Sequence, residues 1–557
     1  MIKRTLFLVA FSFASIATAW ACTNFLASRG ATVDGSTLIT YSADAYFFFG
    51  YMHESRGAVH PPGSMRRIYD WHTREFRGEI PQVPRTYTVI GNMNEHQVVI
   101  AETTFGGRPE LLDPYGLIDY GSLKYITLER ARTARDAIEI MTDLVARYGF
   151  GSAGESFSIG DPNEVWIMEM IGQGPGRTGG VWVAKRVPEG YVSAHANQAR
   201  ITTFPQDGRY DGVLFHPEVI SFAREMGFFD GRDEDFSFSD VYAPLDFRAL
   251  FFCEARVWAF FRQLDPAMDE YFSYVIGETK RRMPLWIRPL EPVSVRDFKR
   301  LMRDQYEGTP LCVMSNMASG PFQTKLRLPP LTFEVDGVEF AQPRPIATQQ
   351  SGWSFVAQMR NWLPNHVGGI LWFGSDDAIS TVYIPMFTGS MQEVPWAFSI
   401  YNGSMVQFSN TSAFWIFNKV ANFAYARWSL MFPEIQSRQQ RWEDYFHEIL
   451  PALEEFALTL PEHEARALLA NFSFTQTDAV MYSWSRLFEF LLVKFLDGAV
   501  RATDEHGNFL QNRHGVMRAE DVQRPGYPEW FLRKMIENNQ NFRVLTQEEL
   551  DNRIDNR

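Results

Sequence analysis

The feature that most constrains the fold is a change of hydrophobic periodicity at about residue 405. From Cys22 to about Arg200, strand-like segments are separated by turn-forming residues, and from there to 404 helical stretches alternate with strand pairs. From 405 to 557, aromatic and aliphatic residues recur at helical spacing. The chain has 557 residues and can bury a large core. We therefore predict an α+β protein with a β-rich core at 22–404 and a helical C-terminal portion at 405–557 packed on it.

Local signals predict several individual elements. In TARDAIEIMTDLVARYG, Thr133 is a typical N-cap and Gly149 a typical C-terminal stop for a helix. Between LTFEV and VEFAQ, Asp336 and Gly337 form a dipeptide that favours a tight hairpin turn. Two more strand pairs are predicted, SFSIG with EVWIMEMI and GGILWFG with STVYIPMF. Shorter helical stretches are predicted near 213–226, 247–263 and 295–306.

The first 21 residues differ in composition from the rest. Lys3 and Arg4 precede a short apolar stretch, and the segment ends in AWA, with small residues where a signal peptidase requires them. The apolar stretch is too short for a comfortable membrane span, and no later run is long and uncharged enough for one. We predict a signal peptide at 1–21, cleavage before Cys22, and export to the periplasm or the cell exterior with no stable membrane span.

The net charge and the spacing of key residues limit the ligands and partners that the sequence predicts. The formal net charge of −13 argues against a nucleic-acid partner, because the phosphate backbone requires a basic face. The eleven histidines show no metal-ligand spacing, and no complete phosphate-loop or serine-hydrolase motif occurs. We therefore predict neither a metal nor a cofactor. The sequence leaves homo-oligomerisation open.

Cys22 would be the first residue of the mature chain. An N-terminal cysteine combines a thiol nucleophile with a free α-amine, whose pKa of about 7.7–8.0 suits a base near neutral pH. Two other interpretations stay open: a lipid-attachment site, although Ala19 replaces the usual aliphatic residue three positions before the cysteine, and a disulfide. Whether the two remaining cysteines, Cys253 and Cys312, pair with each other is also left open.

Several segments together resemble one known family. The opening CTNFLASRGATVDGSTLITYSAD, with VVIAETTFGG, GDPNEVWIMEM, GYVSAHANQARI and CEARVW, resembles the cysteine dipeptidase A family, relatives of the secernins among the N-terminal-nucleophile hydrolases. The resemblance runs from Cys22 to about residue 490. It implies a four-layer αββα sandwich with Cys22 at the end of an inner strand. It also implies a cysteine peptidase that acts on dipeptides or other small peptides.

The resemblance implies roles for further residues. Asp44 would hydrogen-bond the α-amine, Asn197 would orient the intermediate, and a donor near Thr104 would contribute to the oxyanion site. Arg256 would add positive charge and favour the thiolate. In the related bile-salt and penicillin acylases an arginine stands at the position of Tyr41 and an asparagine at that of Thr104. Both differences favour the peptidase branch.

Each assignment has an alternative. Asp44 fits a turn cap, Asn197 a hydrogen bonder at a strand end, and Arg256 a surface ion pair. The aromatic run at 46–49 fits a pocket lining or core packing equally well. Two other functions stay open: an acylase for N-acyl amino acids or bile-salt conjugates, and a lipid-anchored surface binding protein without turnover. The substrate's side-chain preference, and whether signal peptidase or self-processing exposes Cys22, cannot be read from the sequence.

Overall fold

The structure is a computed structural model that describes residues 22–208, 211–511, 519–538 and 543–554. The predicted signal peptide at 1–21 lies outside the described residues. The strands are β1 (Asn24–Ala27), β2 (Thr37–Asp44), β3 (Glu54–Ser55), β4 (Ala58–Val59), β5 (Met65–Tyr69), β6 (Phe76–Pro81), β7 (Arg85–Thr86), β8 (Val89–Ile90), β9 (Met93–Asn94), β10 (Val99–Gly106), β11 (Gly154–Gly160), β12 (Val165–Gly172), β13 (Gly180–Arg186), β14 (Val192–His195), β15 (Val213–Phe215), β16 (Trp286–Ile287), β17 (Thr332–Val335), β18 (Val338–Ala341), β19 (Ser351–Met359), β20 (Ile370–Ser375), β21 (Ile384–Met386), β22 (Val500–Arg501) and β23 (Val522–Gln523).

The helices complete the framework. They are α1 (Tyr120–Leu128), α2 (Ala134–Tyr148), α3 (Val219–Glu225), α4 (Phe238–Tyr242), α5 (Ala255–Leu264), α6 (Phe272–Val275), α7 (Val295–Leu301), α8 (Asn365–Gly368), α9 (Ala413–Tyr425), α10 (Trp428–Leu458), α11 (Glu462–Lys494), α12 (Glu529–Glu537) and α13 (Gln547–Ile554). A π-helical turn (Ala249–Glu254) leads directly into α5. Within the described ranges, no helix combines the length and apolar character that a bilayer crossing needs.

Two antiparallel sheets form the centre of the molecule. One has the strand order β16-β14-β1-β2-β19-β20-β21, and the other β15-β13-β12-β11-β10-β9-β8-β3. Strand β2 of the first sheet contacts β10, β11 and β12 of the second. Polar side chains also join the sheets: Thr103 and Ser158 each lie 2.7 Å from a ring nitrogen of His195. The strands that carry polar residues between the sheets therefore face each other.

Helices pack on both sheets. α1 and α2 contact the eight-stranded sheet, where they cover a separate apolar cluster. α5, α7, α9 and α11 contact strands of the seven-stranded sheet and share its apolar core. The expected mixture of helix and sheet is therefore present, with long helices after residue 405. The four-layer sandwich and the proposed domain boundaries stay predictions at this point.

The local predictions can be compared element by element. The structure confirms helix α2, in which the Thr133 side chain accepts from the amide of Asp136 and Gly149 (φ 78°) is the C-cap. It also confirms the hairpin β17–β18, with positive φ at Asp336 (53°) and Gly337 (76°). The pairs β11–β12 and β20–β21 form as predicted. The stretch 213–226 differs, because its first residues form strand β15 beside β13 before α3 begins.

Candidate active site

Cys22 lies two residues before the start of β1, which is an inner strand of the seven-stranded sheet between β14 and β2. The residue is buried, with 4% of its surface exposed. Its thiol is free, as are those of Cys253 and Cys312, so the open question about a pair between those two is answered against a disulfide.

The surroundings of Cys22 keep its thiol protonated. Burial is the largest cause that raises its pKa well above the usual value, and the charges of Glu102 and Asp44 raise it further. A hydrogen bond from the Asp44 backbone and the hydrogen-bond contact with the Tyr41 hydroxyl act in the opposite direction. The Cys22 Sγ lies 3.7 Å from the Tyr41 hydroxyl oxygen. A thiol in this environment becomes a thiolate only when a base takes its proton.

Asp44 is the last residue of β2 and is fully buried. Its carboxylate accepts from Arg344 Nη2 at 2.6 Å, from Ser351 Oγ at 2.6 Å and from Ser42 Oγ at 3.0 Å. Burial raises the pKa of Asp44 above its usual value, although the Arg344 charge and the hydrogen bonds from Ser351 and Arg344 act in the opposite direction. Asp44 therefore belongs to a buried ion pair beside Cys22, and the alternative of a turn cap is wrong.

Arg256 lies in the first turn of α5 and is 1% exposed, so the alternative of a surface ion pair is wrong. Its Nη1 donates to the Cys22 carbonyl oxygen at 2.6 Å and to Thr23 Oγ1 at 2.7 Å. Burial and, second, the charge of Arg344 lower the pKa of Arg256 to about 10. The guanidinium thus holds the main chain of Cys22, while its predicted effect on the thiolate stays a prediction.

Asn197 links Arg256 to the second sheet. It lies just after β14 with φ 60°, a left-handed conformation that asparagine tolerates better than most residues. Its Oδ1 accepts from Arg256 Nη2 at 2.9 Å, and its Nδ2 donates to the Thr104 carbonyl oxygen at 2.8 Å. The Thr104 hydroxyl donates to Glu155 Oε1 at 2.6 Å. Asn197 is therefore fixed at both ends of its amide, and the roles predicted for Asn197 and Thr104 stay predictions.

A cavity of about 690 Å³ opens beside these residues. Asn197, Arg256 and Arg344 line its polar part. Its apolar lining is larger and consists of Ala45, Phe47, Phe105, Ala243, Pro244, Ala249, Phe252, Pro329, Pro330 and Leu331. Tyr46 lines it too, so the first two residues of the aromatic run at 46–49 border the cavity. The cavity offers space for an organic ligand of moderate size beside Arg256 and Arg344, which donate to the Cys22 carbonyl oxygen and to the Asp44 carboxylate.

Sequence reasoning identified Cys22 and residues in contact with it, but it missed the residues that bind Asp44 and Tyr41 in turn. Arg344 and Ser351 join the site because β2 and β19 pair in a register that sets Ser351 opposite Asp44. Glu102 accepts from the Tyr41 hydroxyl at 2.7 Å. The one available signal was Glu102 itself, an acidic residue within an otherwise apolar strand segment, VVIAETT.

Comparisons with a family model and with individual proteins agree on one group of peptidases. The model of a family described as Peptidase family C69 matches residues 21–96 and 85–441. A probable dipeptidase of Salmonella dublin is 24% identical over 397 residues, which are 67% of this chain and 82% of that protein. A probable dipeptidase of Latilactobacillus sakei is 22% identical, over 66% of this chain and 74% of its own. A dipeptidase of Bifidobacterium longum is 25% identical, over 52% of this chain and 60% of its own.

Proposed function

The chain belongs to peptidase family C69, and from that membership we propose that it is a cysteine dipeptidase whose nucleophile is Cys22. The relatives named as dipeptidases support the substrate class, dipeptides or other short peptides. The observation that carries the proposal is the position of a free, buried cysteine at the start of a central strand, within contact of Asp44, Tyr41 and Arg256.

The proposed reaction has two stages. The Cys22 thiol attacks the peptide carbonyl, the amine product leaves, and the acyl group stays on the sulfur as a thioester. Water then hydrolyses the thioester with the α-amine of Cys22 as base. The Asp44 carboxylate would hold that amine by a charge-assisted hydrogen bond. Support for this role comes from the closeness of Asp44 to Cys22, since the Asp44 backbone hydrogen-bonds the thiol and its carboxylate is held by Arg344.

The negative oxygen of the intermediate needs donors. The amide nitrogen of Asn197 carries two hydrogens, of which one points at the Thr104 carbonyl. We assign the second hydrogen to the developing oxyanion, where one donor is worth roughly 3–4 kcal/mol of barrier. Thr104 would act by orienting that amide through its carbonyl. Arg256 supports the assignment because it holds Asn197 Oδ1 and the Cys22 carbonyl with one guanidinium.

The α-amine exists only when the chain begins at Cys22. We therefore propose that the segment 1–21 is a signal peptide whose removal before Cys22 both exports and activates the enzyme. We also propose the four-layer αββα sandwich as the fold. The contacts of β2 with three strands of the other sheet, and the helices that pack on each sheet, support it.

The proposal can be tested on protein purified from its native export route. Intact mass should match residues 22–557 with an unmodified terminus, and this protein should hydrolyse a panel of dipeptides. N-acyl amino acids and bile-salt conjugates in the same panel would identify an acylase instead. A lipid-sized mass increment on Cys22, or no hydrolysis by protein with a free terminus, would rule the proposal out.

A further inference from the structure

We propose that Tyr41 is a catalytic residue that takes the thiol proton of Cys22 and passes it to the buried carboxylate of Glu102. The inference rests on the proposed function, because it assigns a route for the proton that Cys22 must lose. The route leads to the side of the thiol that faces the eight-stranded sheet, and it leaves the α-ammonium free to protonate the leaving amine.

The direction of the hydrogen bonds supports the route. A phenol has one hydrogen, and that of Tyr41 is donated to Glu102 Oε1 at 2.7 Å. The Tyr41 oxygen, 3.7 Å from Cys22 Sγ, therefore accepts from the thiol. The three groups form a chain, S–H to O–H to carboxylate, that crosses from the seven-stranded sheet to strand β10. When the proton moves, both hydrogen bonds reverse and no side chain has to change position.

The carboxylate at the end of the chain is held by a cation. Glu102 and Lys124 are both buried, and Lys124 Nζ lies 3.4 Å from Glu102 Oε1. A buried carboxylate keeps its charge only beside such a partner. Lys124 also lies over the rings of Tyr41 and Tyr125, at 5.5 and 4.9 Å from their centroids. Glu102 Oε1 thus lies between the Tyr41 hydroxyl and the Lys124 ammonium, so a proton that leaves Tyr41 meets a carboxylate oxygen held by a cation.

The other titratable groups around Glu102 are compatible with this role. Tyr120 and Tyr125 face it from α1, and their pKa values are raised by burial and by the Glu102 charge. Glu155 faces it from β11, and burial followed by the Glu102 charge raises the pKa of Glu155 well above the usual value. Glu155 and Glu102 therefore lie close enough for the charge of Glu102 to oppose ionisation of Glu155.

The step balances over one turnover. As the sulfur–carbon bond forms, the thiol proton moves to the Tyr41 oxygen and the Tyr41 proton moves to Glu102. The α-ammonium of Cys22 gives a proton to the nitrogen of the leaving amine as the carbon–nitrogen bond breaks. The α-amine then takes a proton from the attacking water, whose oxygen joins the acyl carbon. The released sulfur recovers its proton from Glu102 through Tyr41, and the enzyme returns to its starting state.

The experiment follows alkylation of the Cys22 thiol by iodoacetamide between pH 5 and pH 10. The protein is the full chain processed to begin at Cys22, and peptide mass spectrometry separates Cys22 from Cys253 and Cys312. Tyr41→Phe removes the relay, whereas Glu102→Gln keeps the acceptor of the Tyr41 hydrogen bond but cannot take the proton. The matched control is Tyr383→Phe, because Tyr383 is also buried, with its hydroxyl 3.0 Å from Ser354 Oγ on the same sheet.

We expect alkylation at pH 7 to slow at least about 10-fold in Tyr41→Phe, with the pH midpoint moved upward. In Glu102→Gln the midpoint should move downward instead, because the charge that raises the pKa of the Cys22 thiol is removed. Tyr383→Phe should match the unchanged protein. In hydrolysis, kcat should fall by about 10² in both relay variants with little change in KM, as for loss of a general base. An unchanged alkylation profile in Tyr41→Phe, or an unchanged kcat in Glu102→Gln, would overturn the relay; if Tyr41→Phe does not fold, the kcat of Glu102→Gln with a native melting temperature decides alone. Because alkylation needs no peptide, a failure of dipeptide hydrolysis in the unchanged protein would count against the proposed function and not against the relay.

Discussion

Two buried ion pairs of similar geometry have different surroundings. Asp44 pairs with Arg344 at 2.6 Å and Asp377 pairs with Lys325 at 2.7 Å, and both carboxylates are fully buried. Asp377 binds Lys325 with both oxygens and also accepts from the Tyr425 hydroxyl at 2.8 Å. All these partners are parts of the folded core.

The pair at Asp44 differs in what lies next to it. Its backbone hydrogen-bonds the Cys22 thiol, and Arg344 lines the same cavity as Arg256 and Asn197. A buried ion pair is a weak sign of function on its own, since the cost of removing two charges from water often cancels their attraction. The residues next to each ion pair therefore distinguish their roles. A nucleophile and a cavity lie next to Asp44–Arg344 and indicate a functional site, whereas Asp377–Lys325 contacts other core side chains and is structural.

The largest effect should come from Cys22. We expect Cys22→Ala to reduce kcat/KM for dipeptides by about 10⁴-fold or more, because the nucleophile is lost, without lowering the melting temperature appreciably. The matched control is Cys312→Ala, a free thiol that is not among the residues lining the cavity. Comparable hydrolysis by the Cys22→Ala protein would show that the site lies elsewhere.

Breaking the structural pair should cost stability instead. Lys325→Met leaves the Asp377 carboxylate buried without its cation, and we expect the free energy of unfolding to fall by about 3–5 kcal/mol. Where the protein remains folded, kcat for dipeptides should be unchanged. Chemical denaturation and steady-state kinetics on the same preparation measure both. A loss of activity in folded Lys325→Met protein would remove the distinction between the two pairs.

Breaking the Asp44–Arg344 pair should lower activity more than stability. Asp44→Asn keeps the shape of the side chain but removes the charge proposed to hold the α-amine, and we expect kcat to fall about 10²-fold. Some stability is lost as well, since Arg344 then lacks its counter-charge. The ratio of the two effects is the measurement that matters. If Asp44→Asn lowers stability as much as Lys325→Met and leaves kcat unchanged, Asp44 is a structural residue only.

The sequence predicted the elements better than their assembly. Local signals at Thr133, Gly149, Asp336 and Gly337 act over a few residues, and the corresponding helix and hairpin form as predicted. The family resemblance identified Cys22, Asp44, Asn197 and Arg256 as candidates, and the structure brings all four together. It could not indicate Arg344, which is 300 residues from Asp44 and joins it only through tertiary folding. The partners of a buried charge depend on strand register, which local patterns do not encode.

A smaller effect should separate Asp376 from its neighbour Asp377. Asp376 is buried with φ 69°; its Oδ1 accepts from Asn418 Nδ2 at 2.9 Å, and its Oδ2 has no partner among the described residues. Burial, with a smaller contribution from the Asp377 charge, raises the pKa of Asp376 to about 8. In the unfolded chain this carboxyl ionises near pH 4. Between these values the folded state binds more protons, so the stability of the protein falls as the pH rises from 4 to 8.

Asp376→Asn should remove this dependence, because the amide cannot ionise and asparagine tolerates a left-handed φ. From pH 5 to pH 8, the free energy of unfolding of the variant should gain on that of the unchanged protein by about 3–4 kcal/mol. Urea denaturation at several pH values measures the difference, and Asp34→Asn, at a turn where the carboxylate accepts from Ser36, is the control. A difference that does not change with pH would mean that Asp376 is ionised in the folded protein. A buried negative charge would then lie beside the Asp377–Lys325 ion pair.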